Sequence, residues 1–338
     1  HRDLHSFPTR RSSDLQQPEA KASGVSTIRV RLTAKQHDAS FVAADSITLA
    51  DGKAGHALPP GAYSVRLSEP RAAKQRFRLF AKTSRMTERD EAESYAAQWK
   101  QQGYEPELLT FGKAFKSSDG KDIDGRNLWI SIARLETMDK ATALKAKLEK
   151  QDVWAWIVPE TVARGEGQLV FKGSSEKATR TVPAPVRMQS ESPVTIRNLD
   201  YGFWKPARAN RSYSGMIEFE VGPDGLLEIY ETLPLEDYLA GVLPAEMPAS
   251  WPIEALKAQS VSARSEVMAS LGGKHMLEGF DFCGTEHCRA YLGFGGHEKT
   301  TDKAVAETSG VVLVSGGRIL PTVFSANCGG WTEDNECV

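Results

Sequence analysis

The sequence predicts an α+β chain of two to three domains, strand-rich at both ends with a βαββαβ unit between. Three observations carry the prediction. The 338 residues exceed what one hydrophobic core usually organises. Short apolar stretches of period two fill residues 26–70 and return from 194. Between them, two stripes at helical spacing alternate with strand-like runs. Hydrophobic residues at 40% and charged residues at 25% fit folded domains and exclude wholesale disorder.

Residues 1–15, HRDLHSFPTRRSSDL, share no pattern with the rest of the chain. They read as translated sequencing-adapter sequence, disordered and outside any fold. An export leader would have preceded Gln16, so its absence carries no information about compartment. The first expected domain is a small β unit over 22–72. In it Ile28, Val30 and Leu32 alternate with Thr27, Arg29 and Arg31, and turns fall at Asp51-Gly52 and Pro59-Pro60-Gly61.

The second expected domain spans 76–160. Phe77–Phe80 is a strand, and Ala92, Tyr95, Ala96 and Trp99 stripe a helix that stops near Gly103. Leu108–Phe111 and Leu128–Ile132 are strands, Ala141, Leu144 and Leu148 stripe a second helix, and Val153–Val158 is the last strand. This order is the split-βαβ, ferredoxin-like arrangement. A polar, Pro- and Gly-containing linker is expected over 161–192. The third domain, 193–338, is expected to hold strands, a helix ending near Gly241 and Pro244, and a long helix from Pro252 to Leu271. Trp331–Val338 stops without a turn or cap, so this domain reads as cut short at its C-terminus.

The 42 basic and 44 acidic side chains give a formal charge of −2, without the basic excess a nucleic acid partner calls for. No apolar run approaches a membrane span. All four cysteines lie between 283 and 337, too few for a disulfide scaffold but suited to a local metal or redox site.

Glu246 stands between Pro244 and Pro248 among Val242, Leu243, Met247 and Trp251. Prolines stiffen the residues before them, and desolvation of a carboxyl in such a bend raises its pKa toward that of a general acid. A surface glutamate in a proline-rich turn is the plainer reading. Cys283 and Cys288 are five apart, with His287 between them and His275 eight residues upstream. Thiolate and imidazole are zinc ligands, while an exported protein could instead keep a Cys283–Cys288 disulfide.

The stretch from about Tyr213 to Val338 closely resembles the stage II sporulation protein D / amidase-enhancer (SpoIID/LytB) family. The resemblance rests on Leu233-Pro234-Leu235-Glu236-Asp237-Tyr238-Leu239, Pro244-Ala245-Glu246-Met247, Trp251-Pro252, Glu254-Ala255-Leu256-Lys257-Ala258-Gln259 and Ala263-Arg264. It continues through Cys288-Arg289-Ala290-Tyr291-Leu292-Gly293 and Ser325-Ala326-Asn327-Cys328-Gly329-Gly330. Residues 76–160 likewise resemble the SPOR domain, a peptidoglycan-binding module.

The resemblance implies a mixed α/β catalytic domain and a peptidoglycan lytic transglycosylase that cleaves glycan strands to 1,6-anhydro products. Glu246 would be the single general acid and base, with Arg264 beside it. Tyr291, Ser325, Gly329 and Gly330 would line the substrate pocket. It also implies zinc on His275, Cys283 and Cys288, with His287 expected to turn away because it adjoins Cys288. Cys328 and Cys337 could pair with each other, or Cys328 could join the first pair. The implied setting is the cell envelope, with glycan strands and a cell-wall amidase as partners, and no nucleic acid, membrane segment or organic cofactor. The alternative reading is a non-catalytic activator of such an amidase.

Overall fold

The computed structural model describes residues 19–23, 27–52, 54–117, 120–175, 178–202 and 207–324. The stretch read as adapter and the expected truncation at 331–338 lie outside them. The first run of strands is β1 (Glu19–Ser23), β2 (Thr27–Gln36), β3 (Asp38–Ala43), β4 (Ile47–Ala50), β5 (Gly55–Leu58) and β6 (Gly61–Arg71). As the alternation in β2 predicts, Ile28, Val30 and Leu32 are buried. A second run holds β7 (Lys74–Arg85), α1 (Arg89–Gln101), β8 (Glu107–Phe111), β9 (Ala114–Ser117), β10 (Asp122–Asp124), β11 (Asn127–Leu135), α2 (Met138–Glu149) and β12 (Trp156–Ala163).

Strands then resume with β13 (Glu166–Lys172), β14 (Thr179–Pro183), β15 (Val186–Ser190), β16 (Val194–Asp200), β17 (Arg208–Tyr213), β18 (Met216–Val221) and β19 (Leu227–Pro234). The last run is α3 (Leu235–Glu246), α4 (Ile253–Ser270), a 3-10 turn (Met276–Glu278), β20 (Phe282–Cys283), α5 (Lys299–Glu307), β21 (Val311–Ser315) and β22 (Arg318–Ile319). The chain is therefore mixed α+β and rich in strands. No helix among the described residues is long and apolar enough to cross a membrane.

Strand pairing corrects the expected domain boundaries. A seven-stranded sheet runs β20-β2-β19-β18-β15-β4-β5, and a six-stranded sheet runs β14-β13-β6-β3-β16-β17. Phe41 and Phe171 of the second meet Phe219 of the first at ring distances of 6.3 and 5.4 Å, so the two sheets pack face to face. Residues 22–72 are thus no separate unit, and 161–192 is no linker, since it supplies strands to both sheets.

The segment from β7 to β12 is an insertion, because Arg71 of β6 and Glu166 of β13 are direct register partners. Its sheet has the order β12-β7-β11-β8, every neighbour antiparallel. One face carries α1 and α2 over Leu79, Trp99, Ile130 and Leu148. The other carries Phe80, Phe111, Trp129 and Trp156. The hairpin β9–β10 leaves this sheet and joins β1, β21 and β22 in a separate five-stranded sheet, order β10-β9-β1-β21-β22.

Candidate functional site

Helix α3 begins after Pro234, with Glu236 and Asp237 in its first turn where acids favour the helix N-terminus. It does not end at Gly241 or Pro244, as the sequence reading expects, but continues to Glu246. Gly241 is needed there: a Cβ would lie 2.5 Å from the Tyr291 ring, and Leu292 N–H donates to the Gly241 carbonyl at 2.9 Å. Pro244 sits in the last turn, and Met247 N–H closes the helix on the Leu243 carbonyl at 3.0 Å.

Glu246 is therefore the last helical residue and not part of a proline-bracketed loop. The residue is exposed, and of its apolar neighbours Val242 and Leu243 point into the core while Trp251 is 51% exposed. Partial desolvation still pushes the carboxyl up from its ordinary value, and the Arg289 guanidinium pulls it partly back. Arg289 is a residue that sequence reasoning does not single out. It is nearly buried, donates to Glu266 Oε1 at 3.2 Å and lies over the Phe282 ring at 5.0 Å. Nothing in its sequence neighbourhood separates it from any arginine beside a cysteine.

Arg264 does not face Glu246. Its side chain is fully buried, and all five N–H groups are engaged. Nε and Nη2 hold Glu236 at 3.0 and 2.6 Å, and Nη2 also donates to the Val305 carbonyl at 3.2 Å. Nη1 reaches the Val311 carbonyl at 3.2 Å, Thr308 Oγ1 at 3.4 Å and the Ser260 carbonyl at 3.5 Å. It ties α4 to the start of α3 and to α5, and no donor is left for a sugar oxygen. Tyr291 is likewise turned inward, donating its hydroxyl to Glu231 Oε2 at 2.8 Å in the core, so it offers no stacking face. Ser325, Gly329 and Gly330 lie outside the described residues, as do Cys328 and Cys337.

His275 follows α4, Cys283 lies on β20 beside β2, and His287 and Cys288 follow in the next turn. Their four ligand atoms lie within 4.8 Å of one another. His275 Nε2 is 3.5 Å from Cys283 Sγ and 3.4 Å from Cys288 Sγ. His287 Nδ1 is 3.5 and 3.7 Å from the same sulfurs. Contrary to the sequence expectation, His287 does turn inward. Zinc with tetrahedral Cys and His ligands sets sulfur and nitrogen about 3.5 Å apart, so this donor set fits the ion.

Cys283 and Cys288 are both free thiols. The contact between them pushes Cys288 down and Cys283 up, and His275 reinforces the first of these shifts. Glu278 Oε1 meets His275 Nδ1 at 2.6 Å, the carboxylate support that orients a ligating imidazole.

Comparison with known proteins places this region. The family model described as stage II sporulation protein matches residues 224–314. An uncharacterized protein of Brachyspira hyodysenteriae is 37% identical over 126 residues, covering 37% of this chain and 34% of that protein. The amidase enhancer of Bacillus subtilis is 38% identical over 97 residues, 28% of this chain and 12% of that protein. Stage II sporulation protein D of the same species is 32% identical over 120 residues, 31% of this chain and 35% of that protein. The chain thus spans about a third or less of these relatives' lengths. No solved structure matches the chain.

Proposed function

Because residues 224–314 belong to the stage II sporulation protein family, we propose that this chain acts on the bacterial cell wall as a peptidoglycan lytic transglycosylase. The observation that carries this reading is Glu246: a carboxyl held at a helix end, solvent-accessible to a polymer, with its pKa raised by partial desolvation. Such a group keeps its proton longer than a surface glutamate and still reaches a large substrate.

Glu246 donates that proton to the glycosidic oxygen as the bond to C1 breaks. The C6 hydroxyl of the same sugar attacks C1, and the Glu246 carboxylate takes the hydroxyl proton, restoring the acid and leaving a 1,6-anhydro end. Most glycosidases need a second carboxylate to activate water or attack the sugar. Here the nucleophile is tethered, and intramolecular attack is worth effective concentrations on the order of 10⁵–10⁸ M. Arg289 is placed to steady Glu246 while it carries charge. Arg264 acts at a distance, by fixing α4 against α3.

His275, Cys283, His287 and Cys288 would hold zinc. Four protein ligands leave no open position, so the ion supplies folding free energy and no reacting group. The inserted sheet, with last and first strands adjacent and third and second adjacent, has the order of a ferredoxin-like βαββαβ unit. That order supports a SPOR-like module docking on glycan. The cell envelope is the setting this function requires.

A second reading, a non-catalytic amidase activator, has its own support: Arg264 and Tyr291 are spent in the core, and one relative is an amidase enhancer. Purified protein incubated with glycan strands, denuded or bearing stem peptides, separates the two by mass spectrometry. The first reading expects anhydro-sugar products that fall about 10²–10⁴-fold in Glu246→Gln. The activity should also decline as pH rises through the raised pKa of Glu246, because only the protonated form donates. Glycan left intact by wild type, with equal amidase stimulation by wild type and Glu246→Gln, would establish the second reading instead.

A further inference from the structure

We propose that filling of the His275/Cys283/His287/Cys288 site controls how the inserted domain is held, because the turn that carries one ligand is also the wedge that seats that domain. The inference rests on the zinc reading of that site. It concerns residues 272–280, which the glycan chemistry does not use.

Helix α4 stops at Ser270, and the chain turns through Gly272 at φ +67°. The Gly272 carbonyl accepts the Gly112 N–H at 2.9 Å, and a Cβ on Gly272 would lie 3.4 Å from that nitrogen. Glycine suits this turn because its φ lies in the left-handed region. In the 3-10 turn beyond it, successive residues face different partners. His275 Nε2 points at both sulfurs, while Met276 is 48% exposed. Leu277 packs against Phe80, Phe111 and Val158 of the inserted sheet, beside Trp129 and Trp156. Glu278 returns to His275 Nδ1.

On the side of the ligand cluster a second set of contacts braces the turn, and Arg29 Nη1 donates to the Gly279 carbonyl beyond it at 2.7 Å. Phe280 stacks on the His275 ring at 4.4 Å, and Arg31 lies over Phe280 at 4.4 Å with Glu278 Oε2 at 3.6 Å. A 3-10 turn this short has little stability of its own. Fixing His275 to an ion therefore fixes Leu277 two residues on. Freeing His275 lets Leu277 leave the aromatic face. The domain stays tethered through Ala73 N–H on the Gly222 carbonyl and through the β9–β10 hairpin. What changes is its seating on residues 272–278. Linkage makes the effect reciprocal: seating must strengthen metal binding by the factor that metal strengthens seating.

The test uses the full chain, with zinc content and affinity measured first. Amide exchange at Gly112 and oxidative footprinting of Trp129 and Trp156 are then compared with zinc bound and after chelation under reducing conditions. Chelation should expose all three sites, and added zinc should protect them again. Leu277→Asp, which leaves every ligand in place, should expose them even with zinc present. It should also weaken zinc binding by about 5–150-fold, the usual range of such couplings. Leu277→Met should behave as wild type.

Exchange in β18 reports on the main sandwich and should stay slow throughout. Unchanged protection on chelation overturns the proposal, and so does Leu277→Asp exposure with zinc affinity altered by less than about two-fold. Loss of β18 protection on chelation overturns it too, since the ion would then hold the whole fold. A chain that binds no zinc refutes the zinc reading itself, and the proposal with it. Zinc bound without coupling refutes the proposal alone.

Discussion

Glu231 has no exposed surface, and its carboxylate accepts from Gly215 N–H and from Tyr291 Oη, both at 2.8 Å. Desolvation outweighs those bonds and raises its pKa to about 7, against 4.5 for a free glutamate. The folded state then binds more protons than the unfolded state between these values. Stability falls as pH rises through that window, by an upper bound of about 3 kcal/mol, and levels off above it. Glu231→Gln removes this contribution. Urea midpoints at pH 5 and pH 8 should differ less in the variant than in wild type, and an equal difference would show that Glu231 stays ionised throughout. This group is silent in the sequence, because period two marks a face of β19 without saying that a carboxyl there will be sealed. Glu246 is legible, since prolines and apolar neighbours frame it. Its exposure is not, because which side of a helix end meets solvent is set by packing far along the chain.

The α3–α4 pair shows why local signals fail at the element scale. Glycine and proline normally end helices, yet α3 runs through both, since Tyr291 fills the space that Gly241 leaves. Arg264 is expected beside Glu246, yet it falls on the buried side of α4, and its partner, Glu236, lies 28 residues back. Removing the guanidinium takes a donor from the Ser260, Val305 and Val311 carbonyls and leaves half-buried Glu236 without its cation, though still accepting from Gly310 N–H at 3.2 Å. Arg264→Ala should therefore cost about 3 kcal/mol or more, near the lower end for a broken buried pair because Glu236 keeps some water. Arg264→Met with Glu236→Gln should cost less than the sum of the two single changes. Thermal unfolding checks both. Protein that remains folded should still yield anhydro products, because neither residue reaches the reacting atoms. Additive losses would mean that the pair is not coupled.

At the scale of the molecule, the first strands and the later ones form one sandwich, with residues 74–163 inserted between register partners. Each sheet mixes strands from before and after the insertion: β2 lies between β19 and β20, and the adjacent β3 and β6 lie between β16 and β13. Long-range pairing of this kind leaves no local trace, which is why boundaries read from composition are misplaced while the two helices and four sheet strands of the insertion are found and the β9–β10 hairpin, which pairs with distant β1, is missed. Two truncations distinguish the architectures. The fragment 193–338 lacks β2 and β3, so Ile229, Leu233 and Ile196, all buried in the intact chain, lose the strands beside them. It should show no cooperative thermal transition. Excising 74–163 and joining β6 to β13 by a short turn keeps both sheets whole, because Arg71 and Glu166 already lie side by side. That variant should melt cooperatively, at a lower temperature, since Leu277 loses the aromatic face and β1 loses β9. If the inserted domain only docks the enzyme on glycan, its removal should raise KM and leave kcat nearly intact. A folded 193–338 fragment beside an unfolded excision variant would reverse the assignment and make the C-terminal region the autonomous unit.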